Sequence, residues 1–413
     1  MRTEEPRARS WLTTLTAAGR GAIGVVAVWG PGALAAADAA FRPARGPSLA
    51  ATRPGRPRLG RVGRGLGDEV VAVVLDESPP SVEIQCHGGA VALALVIEAL
   101  QAAGAEAVEP ARWAERQAGS PLRAAALVDL ASAPTVRAAS ILLDQAGGAL
   151  DREIEQLRQG LVGGAASGAL EGLDRLIERG RIGVKLLPGW RVVIRGRPNV
   201  GKSRLLNALA GYQRAIVDPT PGTTRDVVTV VAAFDGWPVQ LIDTAGIRAA
   251  EDDLEQAGIE RAAQQAEAAD LVLLVLDRSE PLREEDHELL SGASAASAPA
   301  MLVANKADLP AAWAPEDPAL AGPPIQVVSA ECGEGLDGLI PAIVERLVPK
   351  PTAPGAGVPF RPEQLEFLRA AAHALARGDV TEALTALPRV GAVELARGAR
   401  EGIIPPSRAP RAC

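Results

Sequence analysis

Lysine, histidine, cysteine and aromatic residues are all scarce in this chain, and it has no long apolar run. The three cysteines, Cys86, Cys332 and Cys413, are odd in number and scattered. That excludes a disulfide framework and a zinc site and fits a reduced cytoplasmic setting. Neither a second His nor a second Cys stands at metal-ligand spacing near His87, which reads as a turn residue after a strand. Although 47% of the 413 residues are hydrophobic, mostly Ala, Val and Leu, no run of eighteen or more occurs, so no membrane span is expected. The opening MRTEEPRARSW carries acids and no apolar core, so no signal peptide is expected. A net charge of −7 argues against wholesale coating of nucleic acid. Lysine is rarest relative to its charge class: four stand against thirty-nine arginines, at Lys185, Lys202, Lys306 and Lys350.

Two of those four sit in nucleotide motifs, where a compact ammonium is needed and a planar guanidinium does not substitute. Gly196 to Ser203 read GRPNVGKS, a Gly-x4-Gly-Lys-Ser phosphate loop, between an apolar run from Trp190 to Ile194 and a helical pattern from Leu205 to Ala210. In such a loop Asn199, Val200, Gly201, Lys202, Ser203 and Arg204 wrap the phosphates with backbone N–H groups at a helix N-terminus. Lys202 reaches the β- and γ-phosphates, and the Ser203 hydroxyl ligates Mg²⁺.

Further motifs follow in order. Asp243, Thr244, Ala245 and Gly246 form a DTAG loop, with Asp243 placed to hold a metal-bound water and the Gly246 N–H to sense the γ-phosphate. Asn305, Lys306 and Asp308 frame an Asn-Lys-x-Asp loop after a buried strand, Ala300 to Ala304. Its aspartate accepts from guanine N1 and N2, donors that adenine lacks. Each charge-assisted bond left unmade forfeits about 1.5–3 kcal/mol, so the motif predicts GTP rather than ATP. Ser329, Ala330 and Glu331, after the strand Ile325 to Val328, suit the loop that meets guanine O6. Between the first two motifs, Asp218 to Asp226 (DPTPGTTRD) reads as a switch loop, with Thr224 as a second hydroxyl for Mg²⁺. Ile247 follows the DTAG loop, and an apolar side chain cannot orient the attacking water. The acidic run Glu251 to Glu255 offers candidates, although such a run also reads as a solvated helix start.

The segments GRPNVGKSRLLNALAG, PGTTRD, DTAGIR, NKADL and SAECGEGLDGL, with GRGAIGVV from Gly19 and VEIQCHGG from Val82 to Gly89, resemble the tRNA modification GTPase MnmE (TrmE) family. The resemblance runs from about residue 12 to 350. It implies that Asn199, Asp218, Thr220 and Thr223 hold K⁺ beside the phosphates and that Glu255 positions the hydrolytic water. A cation there does the work of an arginine finger, worth about 10³ to 10⁵ in rate where an arginine supplies it. It also implies a homodimer, a flavin- and NADH-using MnmG-like partner, tRNA as the macromolecular substrate, and a one-carbon folate (5-formyltetrahydrofolate) site. Of the folate contacts only Glu83 matches. The positions of two basic contacts fall on Ala27 and Leu122, with Arg123 beside the latter. The family's Cys-x-Gly-Lys tail is replaced by Pro-Arg-Ala-Cys413. A GTP-switched RNA or ribosome-assembly factor that has lost folate binding is the alternative, as is a scaffold that binds GTP and scarcely hydrolyses it.

The expected architecture is multidomain: an α+β N-terminal domain, and an α-helical domain interrupted by an inserted α/β P-loop GTPase domain. Residues 1–118 form the first, 119–188 begin the helical part, 189–350 are the G domain, and 351–413 hold a Pro-rich linker and the rest of the helical part. Strands are expected at Ile23 to Val28, Glu69 to Leu75 and Val82 to Cys86, and a helix at about Ala90 to Ala103 with Leu93, Val96, Ile97 and Leu100 on one face. Residues 42–64 hold seven arginines and no acid among Pro and Gly. They read as an extended loop, either lying along an RNA backbone or simply solvated.

Overall fold

In the computed structural model, residues 8–16, 21–63, 65, 67–77, 79–212, 228–243, 269–295, 298–315, 320 and 325–387 are described. They fall into two compact units that divide between Ser132 and Ala133.

The first unit is built on a seven-stranded sheet. Its strands are β1 (Trp11–Thr14), β2 (Ile23–Trp29), β3 (Phe41–Pro43), β4 (Arg58–Val62), β5 (Asp68–Glu77), β6 (Pro80–His87) and β7 (Glu106–Ala107). They lie in the order β3-β4-β5-β6-β2-β1-β7, antiparallel except for the β1–β7 pair. Strand alternation sends Val82, Ile84 and Cys86 to one face, where α1 (Ala33–Ala40) and α2 (Ala90–Ala102) cover them. Val96 and Leu100 of α2 are fully buried in that core, with Leu93 and Ile97 at its margin, as their helical spacing predicts. Gly24 permits the close approach, since a Cβ there would lie 2.8 Å from Leu93 Cδ2. Cys86 packs in this core, and burial, with Asp68 nearby, raises its thiol pKa.

Two expectations are corrected in this unit. The arginine-rich stretch is not one extended loop: β3 and β4 make the edge of the sheet within it, paired Phe41↔Val62. Arg42 donates to the Gly63 and Gly65 carbonyls and Arg58 to those of Arg45 and Pro47, so two of the arginines hold the chain's own turns. His87 ends β6 rather than standing in a turn, and its ring nitrogen pairs with Asp68 at 2.8 Å. In the same unit α4 (Pro121–Leu130) packs on α3 (Pro110–Ala118), and the unit runs to Ser132.

The second unit contains a six-stranded sheet of β8 (Trp190–Arg195), β9 (Val228–Phe234), β10 (Trp237–Asp243), β11 (Leu271–Asp277), β12 (Ala300–Asn305) and β13 (Ile325–Val327). The order is β13-β12-β11-β8-β10-β9, parallel except for β9. The central strand β11, LVLLVLD, is apolar in its first six residues and buried along all seven, as a sheet covered on both faces requires. Helices α8 (Lys202–Tyr212) and α10 (Leu336–Leu347) lie over one face, and α9 (Glu284–Ala295) belongs to the same sheet domain. Strands β8, β10, β11, β12 and β13 all run to one carboxyl edge, where open α/β sheets bind ligands.

The same unit holds α5 (Val136–Ala146), α6 (Ala149–Val162), α7 (Ala166–Gly183), α11 (Pro362–Ala376) and α12 (Val380–Ala386). Chain before the sheet thus packs with chain after it. Gly180 and Gly183 of α7 make the contact possible: a Cβ on Gly180 would sit 2.2 Å from Leu365, and one on Gly183 1.9 Å from the Pro359 carbonyl. Polar staples fix the returning chain. Gln145 donates to the Ala356 carbonyl and accepts from Val358 N–H, while Glu153 accepts from Gly357 N–H and pairs with Arg179.

Candidate nucleotide site

The phosphate loop turns out of β8 through two glycines that cannot be replaced without collision. A Cβ on Gly196 would lie 2.4 Å from the Val275 carbonyl, and Gly201, at φ +95°, would drive one to 2.4 Å from Asn305 Nδ2. Asn199 also holds a left-handed conformation, φ 66°, which asparagine tolerates better than most residues. The loop then enters α8 at Lys202, so the helix N-terminus and its orphan N–H groups face the loop's interior. Lys202 is buried and donates to the Arg197 carbonyl at 2.8 Å, curled back across its own loop. Ser203 Oγ donates to Asp243 Oδ2 at 2.6 Å, bringing together the two oxygen-bearing groups that sequence placed at a magnesium ion.

On the other side of the cleft, Asn305 joins three loops. Its Nδ2 donates to the Val200 carbonyl at 2.8 Å, and its Oδ1 accepts from Ala330 N–H at 3.0 Å. Asp308 accepts from Ser329 Oγ at 2.5 Å, which orients the carboxylate at the mouth. Lys306, at φ 66°, donates to Asp277 Oδ2 at 2.6 Å. Asn305, Lys306 and Asp308 line a cleft of about 280 Å³ with Gly201, Arg204, Leu309, Ala330 and Glu331. Arg204, from the first turn of α8, reaches over it to an ion pair with Glu331.

Of the described residues expected at the nucleotide, Gly201, Arg204, Asn305, Lys306, Asp308, Ala330 and Glu331 line this cleft, while Asn199, Val200, Lys202 and Ser203 belong to the adjoining phosphate loop and first turn of α8, Asp243 ends β10, and Ser329 follows β13. Asp218, Thr220, Thr223, Thr224, Thr244, Ala245, Gly246, Ile247 and Glu255 lie outside the described residues. Glu83 sits in the other unit on β6, accepting from Gln85 Nε2 at 3.0 Å, with Ala27 opposite it on β2. Leu122 is buried there.

Sequence reasoning missed Asp277 and Arg197. Asp277 ends β11 with its side chain buried, and burial alone would raise its pKa. Hydrogen bonds from Lys306 and from the Ser279 side chain and backbone outweigh that and hold the carboxyl below its ordinary value. An acid closing the run LVLLVLD, at the carboxyl edge of a buried parallel strand, was the available signal.

The protein-family profile described as "50S ribosome-binding GTPase" matches residues 191–306. Among named proteins, the tRNA modification GTPase MnmE of Chloroflexus aurantiacus is 38% identical over 426 residues, covering 90% of this chain and 91% of that protein. The MnmE of Symbiobacterium thermophilum is 38% identical over 364 residues, with 78% and 79% covered, and that of Geobacillus thermodenitrificans 37% over 373, with 80% of each. Among solved structures, the G domain of the T. maritima FeoB iron transporter is 28% identical over 38% of this chain and 98% of that one, with a TM-score of 0.28.

Proposed function

This chain belongs to the tRNA modification GTPase MnmE family, and on that premise we propose that it hydrolyses GTP in a K⁺- and Mg²⁺-dependent cycle that acts in wobble-uridine modification of tRNA. It is a GTP-hydrolysing enzyme. The observation that carries the catalytic reading is the 2.6 Å approach of Ser203 Oγ to the buried Asp243 carboxylate, beside a lysine folded into the phosphate loop. Hard oxygen donors of this kind fit a magnesium ion, with Thr224 as the further hydroxyl. Such an ion, when bound, would neutralise phosphate charge.

The chain's own residues do the rest. Lys202 exchanges the Arg197 carbonyl for phosphate oxygens, the loop N–H groups hold the remaining oxygens, and Asp308 selects guanine while Asn305 keeps the base loop against the phosphate loop. Glu255 orients the attacking water, a task Ile247 cannot perform. Asn199, with Asp218, Thr220 and Thr223, completes an oxygen-rich site for K⁺. Hydrolysis measured in KCl and in NaCl tests this directly: a rate at least tenfold higher in K⁺ is expected, and equal rates would remove the cation from the account.

The cycle is placed in the cytoplasm, in a homodimer acting on tRNA with an MnmG-like flavoprotein. Among the described residues no helix is long and apolar enough to cross a membrane. No folate step is included, because Ala27 and Leu122 put no charge where the family's basic contacts fall. An RNA or ribosome-assembly factor without modification chemistry is not favoured, since relatives matched over 78% to 90% of this chain carry the tRNA modification name.

A further inference from the structure

The phosphate loop and the base loop are tied twice, once by a neutral group and once by charges. Asn305 makes the neutral tie. The ionic one begins at Lys306, whose ammonium meets Asp277 at 2.6 Å. The Asp277 side chain is 1% exposed and lies 4.0 Å from the guanidinium of Arg197, which is itself only 6% exposed. Arg197 belongs to the phosphate loop. Its side chain is held by Asp286 at 3.2 Å and Glu280 at 2.9 Å, and its carbonyl receives Lys202 at 2.8 Å. Two of the chain's four lysines, one for phosphate and one for the base, are thus linked through one arginine and one aspartate. Asp277 is fixed from behind as well: its Oδ1 accepts from Ser279, and its backbone carbonyl accepts from Trp313 Nε1 at 2.9 Å.

We propose that Asp277 is a positioning residue that couples guanine recognition to the phosphate loop, acting through Lys306 on one side and Arg197 on the other. Charge strength at short range and in low dielectric makes such a link stiff, because moving the base loop would leave the buried Asp277 carboxylate with Arg197 as its nearest cation at 4.0 Å, and moving the phosphate loop would take that guanidinium away from it. Lys306 occupies a left-handed turn, and Asp277 is the anion it meets among the described residues, so the carboxylate sets where the lysine stem lies against a purine ring. Loss of the carboxylate frees Lys306, and it also removes one of the three anions around Arg197, whose carbonyl positions Lys202. Both halves of the nucleotide then bind less well. The proposal rests on the reading of this cleft as a guanine-nucleotide site.

The test is a double-mutant cycle on the full chain, with fluorescent GDP affinity and steady-state GTP hydrolysis as readouts. Asp277→Asn is expected to raise the GDP Kd and the GTP KM about tenfold while kcat changes by less than threefold, and Lys306→Met to do the same. The double variant is expected to lose about ten- to thirtyfold, well short of the product of the singles, because the Lys306 route is shared and only the weaker Arg197 route remains to be lost. Losses that multiply to about a hundredfold would show that Asp277 acts independently of Lys306, and an unchanged Kd in Asp277→Asn would also overturn the proposal. Wild-type protein that binds ADP as tightly as GDP would instead refute the guanine-site reading itself.

If Asp277→Asn does not fold, inorganic tripolyphosphate serves as the probe with Lys306→Met. That ligand has no base, so a base-loop substitution weakens it only if the two loops are coupled. A loss of at least threefold is expected, and an unchanged affinity refutes the coupling.

Discussion

Asn305→Ala is the sharpest perturbation of the site that needs no ligand to read. The substitution removes the donor to the Val200 carbonyl and the acceptor from Ala330 N–H, bonds of 2.8 and 3.0 Å. Both backbone groups belong to buried residues, Val200 at 0% and Ala330 at 8% exposure, so water replaces neither partner readily. An orphaned buried donor or acceptor costs about 1–3 kcal/mol, which puts the pair at about 3 kcal/mol or somewhat more. For a domain of this size each kcal/mol moves the melting temperature by about 2–4 °C, so the nucleotide-free protein should melt roughly 6–12 °C lower. Differential scanning fluorimetry without added nucleotide measures it. Leu309→Ala is the control: Leu309 lines the same cleft but is 45% exposed, and its loss should cost under about 0.5 kcal/mol. A shift below about 2 °C for Asn305→Ala would refute the reasoning, because the three loops would then be held by something other than this side chain.

Two other outcomes follow from the same geometry. Asp308→Asn removes the acceptor for guanine N1 and N2, two charge-assisted bonds of about 1.5–3 kcal/mol each, so GTP affinity should fall by about 10² to 10⁴ in equilibrium titration. A loss below tenfold would mean that Asp308 does not read the base. Asp277, whose folded pKa is depressed, contributes stability that is fully present above the unfolded aspartate value of about 3.9 and is lost as pH falls through the lower folded value. The difference in melting temperature between wild type and Asp277→Asn should therefore be constant from pH 8 to 5 and narrow below about pH 4, and a gap that widened on acidification would contradict the assigned direction.

Much of the sheet domain was legible because its signals are local. GRPNVGKS needs its glycines where the chain passes the Val275 carbonyl and Asn305, and the apolar runs at Trp190 to Ile194, Ala300 to Ala304 and Ile325 to Val328 become β8, β12 and β13. Alternation and helical spacing likewise gave β2, β5, β6 and α2 to within a few residues. Contacts over long sequence distances were not legible. Nothing in the local sequence tells that Gln145 and Glu153 hold residues 356–358, because that requires α5, α6 and the returning chain to be already packed. The arginine-rich stretch was misread for a related reason: composition registers charge, whereas β3 and β4 form because Phe41 and Val62 reach the core and Arg42 and Arg58 find carbonyls. Asp277 escaped notice because its importance lies in its partner Lys306, twenty-nine positions away, and not in a motif of its own.

The central claim, that this GTPase acts in tRNA modification, is tested most directly by mass spectrometry of wobble uridines in tRNA from cells lacking this chain. The account predicts that the modified uridine disappears and returns on complementation with wild type, but not with a Lys202→Ala variant. Unchanged wobble uridines in the deletion would contradict it.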